Sequence, residues 1–246
     1  MTEWIYGRNP VYEVLRAGRR QVLRLLVAEG AQRKGQLLKI IDLCNKINAP
    51  VEQAQRTQLD RIQPGNQGLL LEVGDYPYVT LIDILDLPEQ RAETPLILLL
   101  DSLQDPQNLG TLLRTAEAVG VHGVLLPFRR TATVTPAVVN ASSGASEHLL
   151  VTQANLAQAI KTIKQLGIWV VGLDNALDAQ PVNRSVLDGP IAFVIGAEGQ
   201  GIRPLIRKSC DLLLQLPMRG KIESLNAAVA GSIALYLAWQ TRGFNS

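Results

Sequence analysis

LILLLDSLQDPQNLGTLLRTAEAV, residues 96–119, couples an apolar strand to a capped helix. Leu96–Leu100 is a continuous apolar run, the pattern of a strand buried on both faces of a parallel sheet. Asp105 is placed to cap a helix N-terminus, and Pro106 suits the first helical position. Leu109, Leu112, Leu113, Ala116 and Val119 then form one apolar stripe. At ~100° per residue, Arg114 lies about 140° from Leu109, off that stripe and one turn beyond Gly110. Gly110 leaves space there for something large to approach. Alone, the segment also reads as a capped amphipathic helix with one exposed arginine.

The same grammar repeats from Pro95 to the end of the chain. Strand candidates at 96–101, 121–126, 149–152, 168–173, 190–195 and 211–216 alternate with helix candidates at 106–119, 135–145, 155–166, 201–209 and 225–240. The alternation predicts an α/β fold, a mostly parallel sheet with helices on its faces. Ligands bind such sheets beyond the carboxyl ends of the strands. Residues 1–76 predict a smaller mixed α/β unit, with helices at 11–18, 36–47 and 58–63 (the last capped by Thr57) and strands at 22–27, opening at Pro50-Val51, and at 69–73. Residues 77–94, with Pro77, Pro88 and a polar run 89–94, read as a partly extended linker holding at most one short helix around 80–86. The predicted domains are therefore 1–76 and 95–246.

Two further motifs sit at strand ends. Phe193-Val194-Ile195 runs into Gly196-Ala197-Glu198-Gly199-Gln200-Gly201. The order G-x-x-G-x-G, late in the chain and with no acid ending the next strand, is not a dinucleotide fingerprint. Glu198 is informative because a carboxylate between glycines at a strand end is seldom needed for packing. Leu212–Leu216 leads to Pro217-Met218 and then Ser224-Leu225-Asn226, where Ser224 reads as the cap of a helix beginning at Leu225. That last helix is small-residue-rich and apolar nearly all round, so most of its faces are expected to be buried, a partner subunit included.

Composition sets bounds. Charged residues are 19% and hydrophobic residues 47%, ordinary for a soluble globular protein. No apolar run approaches the ~18 residues that span a bilayer, and residues 1–4 carry no signal-peptide pattern, so the expected location is cytoplasmic. Cys44 and Cys210 stand far apart without a CxxC partner, and His122 and His148 lack metal-pair spacing, so no metal site is expected. The net charge of +2 is uneven: residues 1–76 carry eleven Lys/Arg against eight Asp/Glu. Arg16, Arg19, Arg20, Arg24, Arg33 and Lys34 are candidate phosphate contacts or simply a solvated helix face.

Taken in order, DPxNxGxxxRTA (105–116), GAEGxG (196–201) and PMxGxxxSLN (217–226) resemble the SpoU family of the SPOUT superfamily, RNA ribose 2′-O-methyltransferases. The start Tyr6-Gly7-Arg8-Asn9-Pro10-Val11 resembles the small RNA-binding domain of two-domain bacterial members, although Asn66 stands where His is common. The likeness is in particular to members acting on a guanosine of large-subunit (23S) rRNA. It implies a trefoil knot in the C-terminal sheet, a homodimer, an RNA partner and S-adenosylmethionine as cofactor, without membrane or metal. It further implies cofactor contacts at Gly196, Leu216 and Leu225, and functional polar roles for Asn108, Arg114, Glu198, Ser224 and Asn226. Ala228 departs from the family, where Ser is frequent. The alternatives are a tRNA or other rRNA ribose as target, and an RNA-binding protein that has lost catalysis. The proton acceptor is Arg114, Glu198 or water. Guanidinium is effectively always charged, which favours Arg114 as a phosphate clamp that also stabilises developing charge on the ribose oxygen.

Overall fold

Two sheets organise the chain, one of four strands and one of seven. The computed structural model describes residues 2–175, 178–182, 184–222 and 224–244. Contacts group Met1–Pro77 with Val134–His148 as unit 1, and Tyr78–Thr133 with Leu149–Ser246 as unit 2.

In unit 1, β1 (Thr2–Tyr6), α1 (Arg8–Ala17), β2 (Val22–Ala28), α2 (Gln36–Lys46), β3 (Val51–Ala54), α3 (Arg56–Ile62) and β4 (Leu69–Gly74) build a sheet ordered β1-β4-β2-β3. Only β2 and β3 pair in parallel. The helices bury the stripes their spacing predicts, Val11, Val14 and Leu15 on α1 and Leu37, Ile40, Ile41 and Cys44 on α2. Two expectations need correction. Thr57 is inside α3, whose N-cap is Gln55 and makes no side-chain cap bond. β1 was not anticipated, because only Ile5 in it is buried and no apolar alternation marks it; its ladder to β4 holds it in place.

Unit 2 opens with α4 (Leu81–Arg91), longer than the helix expected around 80–86. Thr80 and Asp83 form a reciprocal capping box, and Ile84 is fully buried in the main core. The helix therefore belongs to unit 2. Then come β5 (Leu96–Asp101), α5 (Pro106–Ala118), β6 (Gly123–Leu126), α6 (Pro136–Ala141), β7 (Val151–Gln153), α7 (Leu156–Gln165), β8 (Trp169–Leu173), β9 (Gln180–Pro181), α8 (Arg184–Leu187), β10 (Ile191–Gly196), α9 (Pro204–Ser209), β11 (Leu212–Gln215) and α10 (Ala227–Thr241). All strand pairs of the seven-stranded sheet are parallel, in the order β7-β6-β5-β10-β8-β11-β9. Central β5 and β10 are buried at every residue, as their uninterrupted apolar composition requires.

One stretch departs from the alternation. The helix expected at 135–145 is the shorter α6, and it packs in unit 1 together with a 3₁₀ turn, Ala145–Glu147. Asn140 donates to the Tyr6 carbonyl (3.3 Å), and the Tyr76 hydroxyl donates to the Ser146 carbonyl (2.8 Å). Arg20 forms a two-pronged ion pair with Glu147, both bonds 3.0 Å and both side chains essentially without exposure.

Candidate active site

A parallel sheet delivers every strand's carboxyl end to one edge, and three loops of unit 2 start there. After β5, Asp105 accepts from the backbone of Gln107 (3.0 Å) and Asn108 (3.3 Å), starting α5 with Pro106 in its first turn. After β10, the chain folds back at once. Ala197 and Gly201 bond reciprocally, Ala197 N to Gly201 O at 3.1 Å and Gly201 N to Ala197 O at 2.8 Å. A side chain at Gly196 would lie 2.1 Å from the Gly201 carbonyl carbon, so only glycine admits this turn. After β11, the helix begins at Ala227 and its cap is Asn226. The expected cap, Ser224, lies two residues too early and instead lines a cavity.

Asn226 connects the loops. Its Oδ1 accepts from the backbone of Ala228 (2.9 Å) and Val229 (3.3 Å), which fixes which end of the amide is oxygen. Nδ2 must then point away from the helix, where it donates to Asn108 Oδ1 (3.0 Å) and Glu198 Oε2 (3.2 Å). Because Asn108 Oδ1 accepts, its own Nδ2 is the donor to Glu198 Oε2 (3.3 Å). One carboxylate oxygen thus takes two amide donors. The other, Oε1, accepts no hydrogen bond from the described residues.

Beside this cluster is a cavity of about 310 Å³. Gly196, Leu216 and Leu225 line it, together with Ser224, Glu198 and the rest of the 197–201 turn. Ile195, Ala227 and Ala230 supply an apolar wall, and Asp174 and Asn175 a polar end. The volume is at the small end of ligand sites. Apolar walls beside exposed main-chain groups suit a flat heterocycle joined to a polar tail.

One anchor of the site was not anticipated. Asp101, fully buried at the end of β5, accepts from Arg203 through the backbone N (2.8 Å), Nε (2.7 Å) and the guanidinium terminus (2.6 Å). It ties the start of α9, and so the far end of the 196–201 loop, to the strand bearing the first motif. The available signal was an acid closing an otherwise apolar strand.

Residues 95–236 match the SpoU rRNA Methylase family, and residues 4–79 match a family described as RNA 2′-O ribose methyltransferase substrate binding. The chain belongs to the SpoU family. It is 40% identical over 244 residues to a putative TrmH family tRNA/rRNA methyltransferase, YacO of Bacillus subtilis, covering 98% of this chain and 96% of that one. It is 37% identical over 242 residues to the 23S rRNA (guanosine-2′-O-)-methyltransferase RlmB of Pseudomonas putida, covering 98% and 97%. The SpoU methyltransferase AviRb of Streptomyces viridochromogenes, solved with AdoMet, shares the fold at a TM-score of 0.81 and 22% identity, over 99% of this chain and 92% of that one.

Of the residues matched to SpoU motifs, the structure unites Asn108, Glu198 and Asn226 in one cluster, and Gly196, Leu216, Leu225, Ser224 and Glu198 around one cavity. Glu198 is common to both. Arg114 is exposed on α5, off the apolar stripe as expected, and is not among the residues lining the cavity. Ala228, the departure noted in the third motif, is buried and binds the Asn226 cap through its backbone.

The N-terminal basic cluster differs from expectation. Arg20 is committed to Glu147 and Glu3 and is shut away from solvent. Arg24 bonds Glu72 (2.7 Å) and Glu52 (3.0 Å), and Arg19 donates to the carbonyls of Glu147 and Pro77. Arg16 is exposed beside Glu13 at 3.4 Å, and Arg33 and Lys34 are exposed. Half of the cluster, Arg19, Arg20 and Arg24, holds unit 1 together. The histidines are structural: His122 accepts from the Leu96 backbone and meets Glu93 at 2.9 Å, burial pulling its pKa down. His148 meets Glu13 at 2.8 Å.

Proposed function

We propose that this protein transfers a methyl group from S-adenosylmethionine to a ribose 2′-hydroxyl of RNA, with a guanosine of 23S rRNA as the target. The observation carrying this reading is Glu198, which lines the cavity and is also oriented by Asn108 and Asn226. In the cavity, S-adenosylmethionine would be held by Leu216 and Leu225 through apolar packing and by main-chain groups beside Gly196. It supplies an already activated methyl group, so the chain's task is alignment and proton removal. Alignment alone can be worth several powers of ten.

In this reading Glu198 Oε1 receives the 2′-hydroxyl proton, which is supported by the two amides that occupy Oε2 and leave Oε1 without a hydrogen bond from the described residues. Arg114, permanently charged, clamps a substrate phosphate in two-pronged fashion and steadies charge developing on the ribose oxygen. Ser224, on the cavity wall, helps position the ribose. In place of the expected boundaries at 76 and 95, unit 1 (1–77 with 134–148) would hold RNA, and unit 2 (78–133 with 149–246, α4 included) would carry catalysis.

Three further features belong to this reading. Strand β11 lies between β8 and β9, and the chain then returns to pack α10 on α5, an order that supports the trefoil knot. Helix α10 has no charged residue, and Val229, Ile233 and Tyr236 form an exposed stripe of 45%, 39% and 48% at i, i+4 and i+7. Such a stripe supports homodimerisation through α10. The absence of a membrane-length apolar helix among the described residues fits work on RNA in the cytoplasm.

The test uses radiolabelled S-adenosylmethionine with 23S rRNA, 16S rRNA and tRNA from cells lacking the protein, followed by mass mapping of ribose methylation. Label on one 23S guanosine is expected. Label on tRNA alone would replace the target, and no label on any of the three would refute the reaction.

A further inference from the structure

The loop after β6 carries Phe128-Arg129-Arg130, which the site described above does not use. β6 lies beside β5, so the loop leaves the same edge of the sheet as the first motif. Phe128 is 65% exposed, and Arg129 and Arg130 are both exposed with no ion pair to any described residue. Arg130 has φ +59°, a left-handed conformation uncommon outside glycine. The loop is nonetheless fixed. The Thr131 hydroxyl (3.0 Å) and the Ala132 backbone (2.7 Å) both donate to the carbonyl of Leu103, two residues before the cap of α5. The aromatic ring and its two arginines are therefore tied to the segment that positions Asn108 and Arg114.

Phe128 and Arg129 also form one side of an open depression of about 320 Å³. Its other walls include Asn155, Arg203 and Leu205, the last 67% exposed, and no carboxylate is among its lining residues. An exposed ring flanked by unpaired cations is ill suited to water and to a basic partner. It is suited to a nucleobase, which has a π-face, joined to phosphates.

We propose that Phe128 stacks on an unpaired base next to the target nucleotide and that Arg129 and Arg130 hold the flanking phosphates. This rests on the RNA methyltransferase reading. It adds a second grip on RNA, located in unit 2, and it selects single-stranded or looped RNA, because a base in a duplex has no free face to offer.

The test is equilibrium binding of full-length protein to a 16-nucleotide single-stranded RNA containing 2-aminopurine. Phe128→Ala should weaken binding about 5- to 150-fold, the range for losing one stacked base, and should abolish the fluorescence quench; Phe128→Trp should retain both. Replacing Arg129 and Arg130 together by alanine should weaken binding and flatten the log–log salt dependence by about 1.4, for two phosphate contacts on a single strand. S-adenosylmethionine affinity should be unchanged in all three, which confirms folding. Wild-type failure to bind or methylate RNA would strike the underlying function. Wild-type binding with Phe128→Ala unaltered would overturn this proposal alone, as would a Phe128→Ala protein whose only change is its sedimentation as a smaller species.

Discussion

Gly196→Ala is a one-carbon change at the point where cavity, turn and strand meet. The added Cβ would lie 2.1 Å from the Gly201 carbonyl carbon, 2.3 Å from its oxygen and 2.4 Å from the Ile202 nitrogen. Carbon atoms touch at ~3.5–4.0 Å, so the turn must open by about 1.5 Å. The obstacle is backbone, which no rotamer change can relieve. The two bonds between Ala197 and Gly201 would be lost, at about 0.5–1.5 kcal/mol each. Overpacking adds about 1–3 kcal/mol, for roughly 2–6 kcal/mol altogether. Set against a typical stability of about 5–15 kcal/mol, the variant should still fold, with Tm lower by roughly 4–24 °C. S-adenosylmethionine affinity should fall at least ~10-fold, because residues 197–201 line the cavity and 1.4 kcal/mol of misplacement suffices for that. Gly199→Ala is the control: it meets nothing within 4 Å and bears only the strain of φ +74°, about 1–2 kcal/mol. Thermal unfolding and calorimetric titration measure both quantities. A Gly196→Ala protein with wild-type Tm and wild-type affinity would refute the reasoning.

Asn226→Ala should lose the α10 cap, about 0.5–2 kcal/mol, and at least ~100-fold in single-turnover rate. Asn226→Asp should regain the stability but not the rate, since it sets a carboxylate oxygen 3.2 Å from Glu198; an active Asp variant would show that the amide bridge is dispensable. Arg114→Ala should abolish transfer with cofactor binding intact, and Arg114→Lys should rescue poorly, because an ammonium cannot make the planar two-pronged contact; a near-normal Lys enzyme would remove the clamp. Glu147→Ala should cost about 3–5 kcal/mol in urea unfolding by leaving Arg20 buried with Glu3 alone, whereas the double variant Arg20→Met with Glu147→Leu should recover much of it. Cys44 and Cys210 should alkylate slowly at pH 8 until the protein unfolds: burial pushes their thiols up to about 11 and about 12, leaving on the order of one thiolate in a thousand or fewer. Fast labelling of folded protein would contradict that burial.

The catalytic sheet was legible because its central strands are buried on both faces, so β5 and β10 appear as unbroken apolar runs. The Asp105 cap was legible because Pro106 leaves one starting point for α5. At the third motif Ser224 and Asn226 are both good caps, and local sequence does not say which residue turns the first helical corner. The structure chooses Asn226, whose amide can cap with one end and donate with the other. The basic cluster was misread for a different reason. A run of arginines is visible locally, but the carboxylates that neutralise it are 127 and 17 residues away for Arg20 and 48 and 28 for Arg24. Strands β1 and β9 were illegible because pairing rather than apolar patterning defines them.

That contrast shows how the site acquires its rigidity. Glu198 sits on an exposed loop between glycines, a poor place from which to hold a proton acceptor. Its orientation comes from elsewhere: the backbone of Ala228 and Val229 fixes Asn226, Asn226 fixes Asn108, and both amides fix one oxygen of Glu198. The helix at the head of this series is itself immobilised by packing. A side chain at Gly231 would lie 2.6 Å from Leu112, and Ser232 meets Thr115 at 2.9 Å, so α10 lies tight against α5. Asn108 and Asn226 therefore move as parts of one packed pair of helices, and the carboxylate they hold inherits the stiffness of the core rather than the mobility of its loop. The small residues of α10, unremarkable as chemistry, are what allow a loop carboxylate to be aimed.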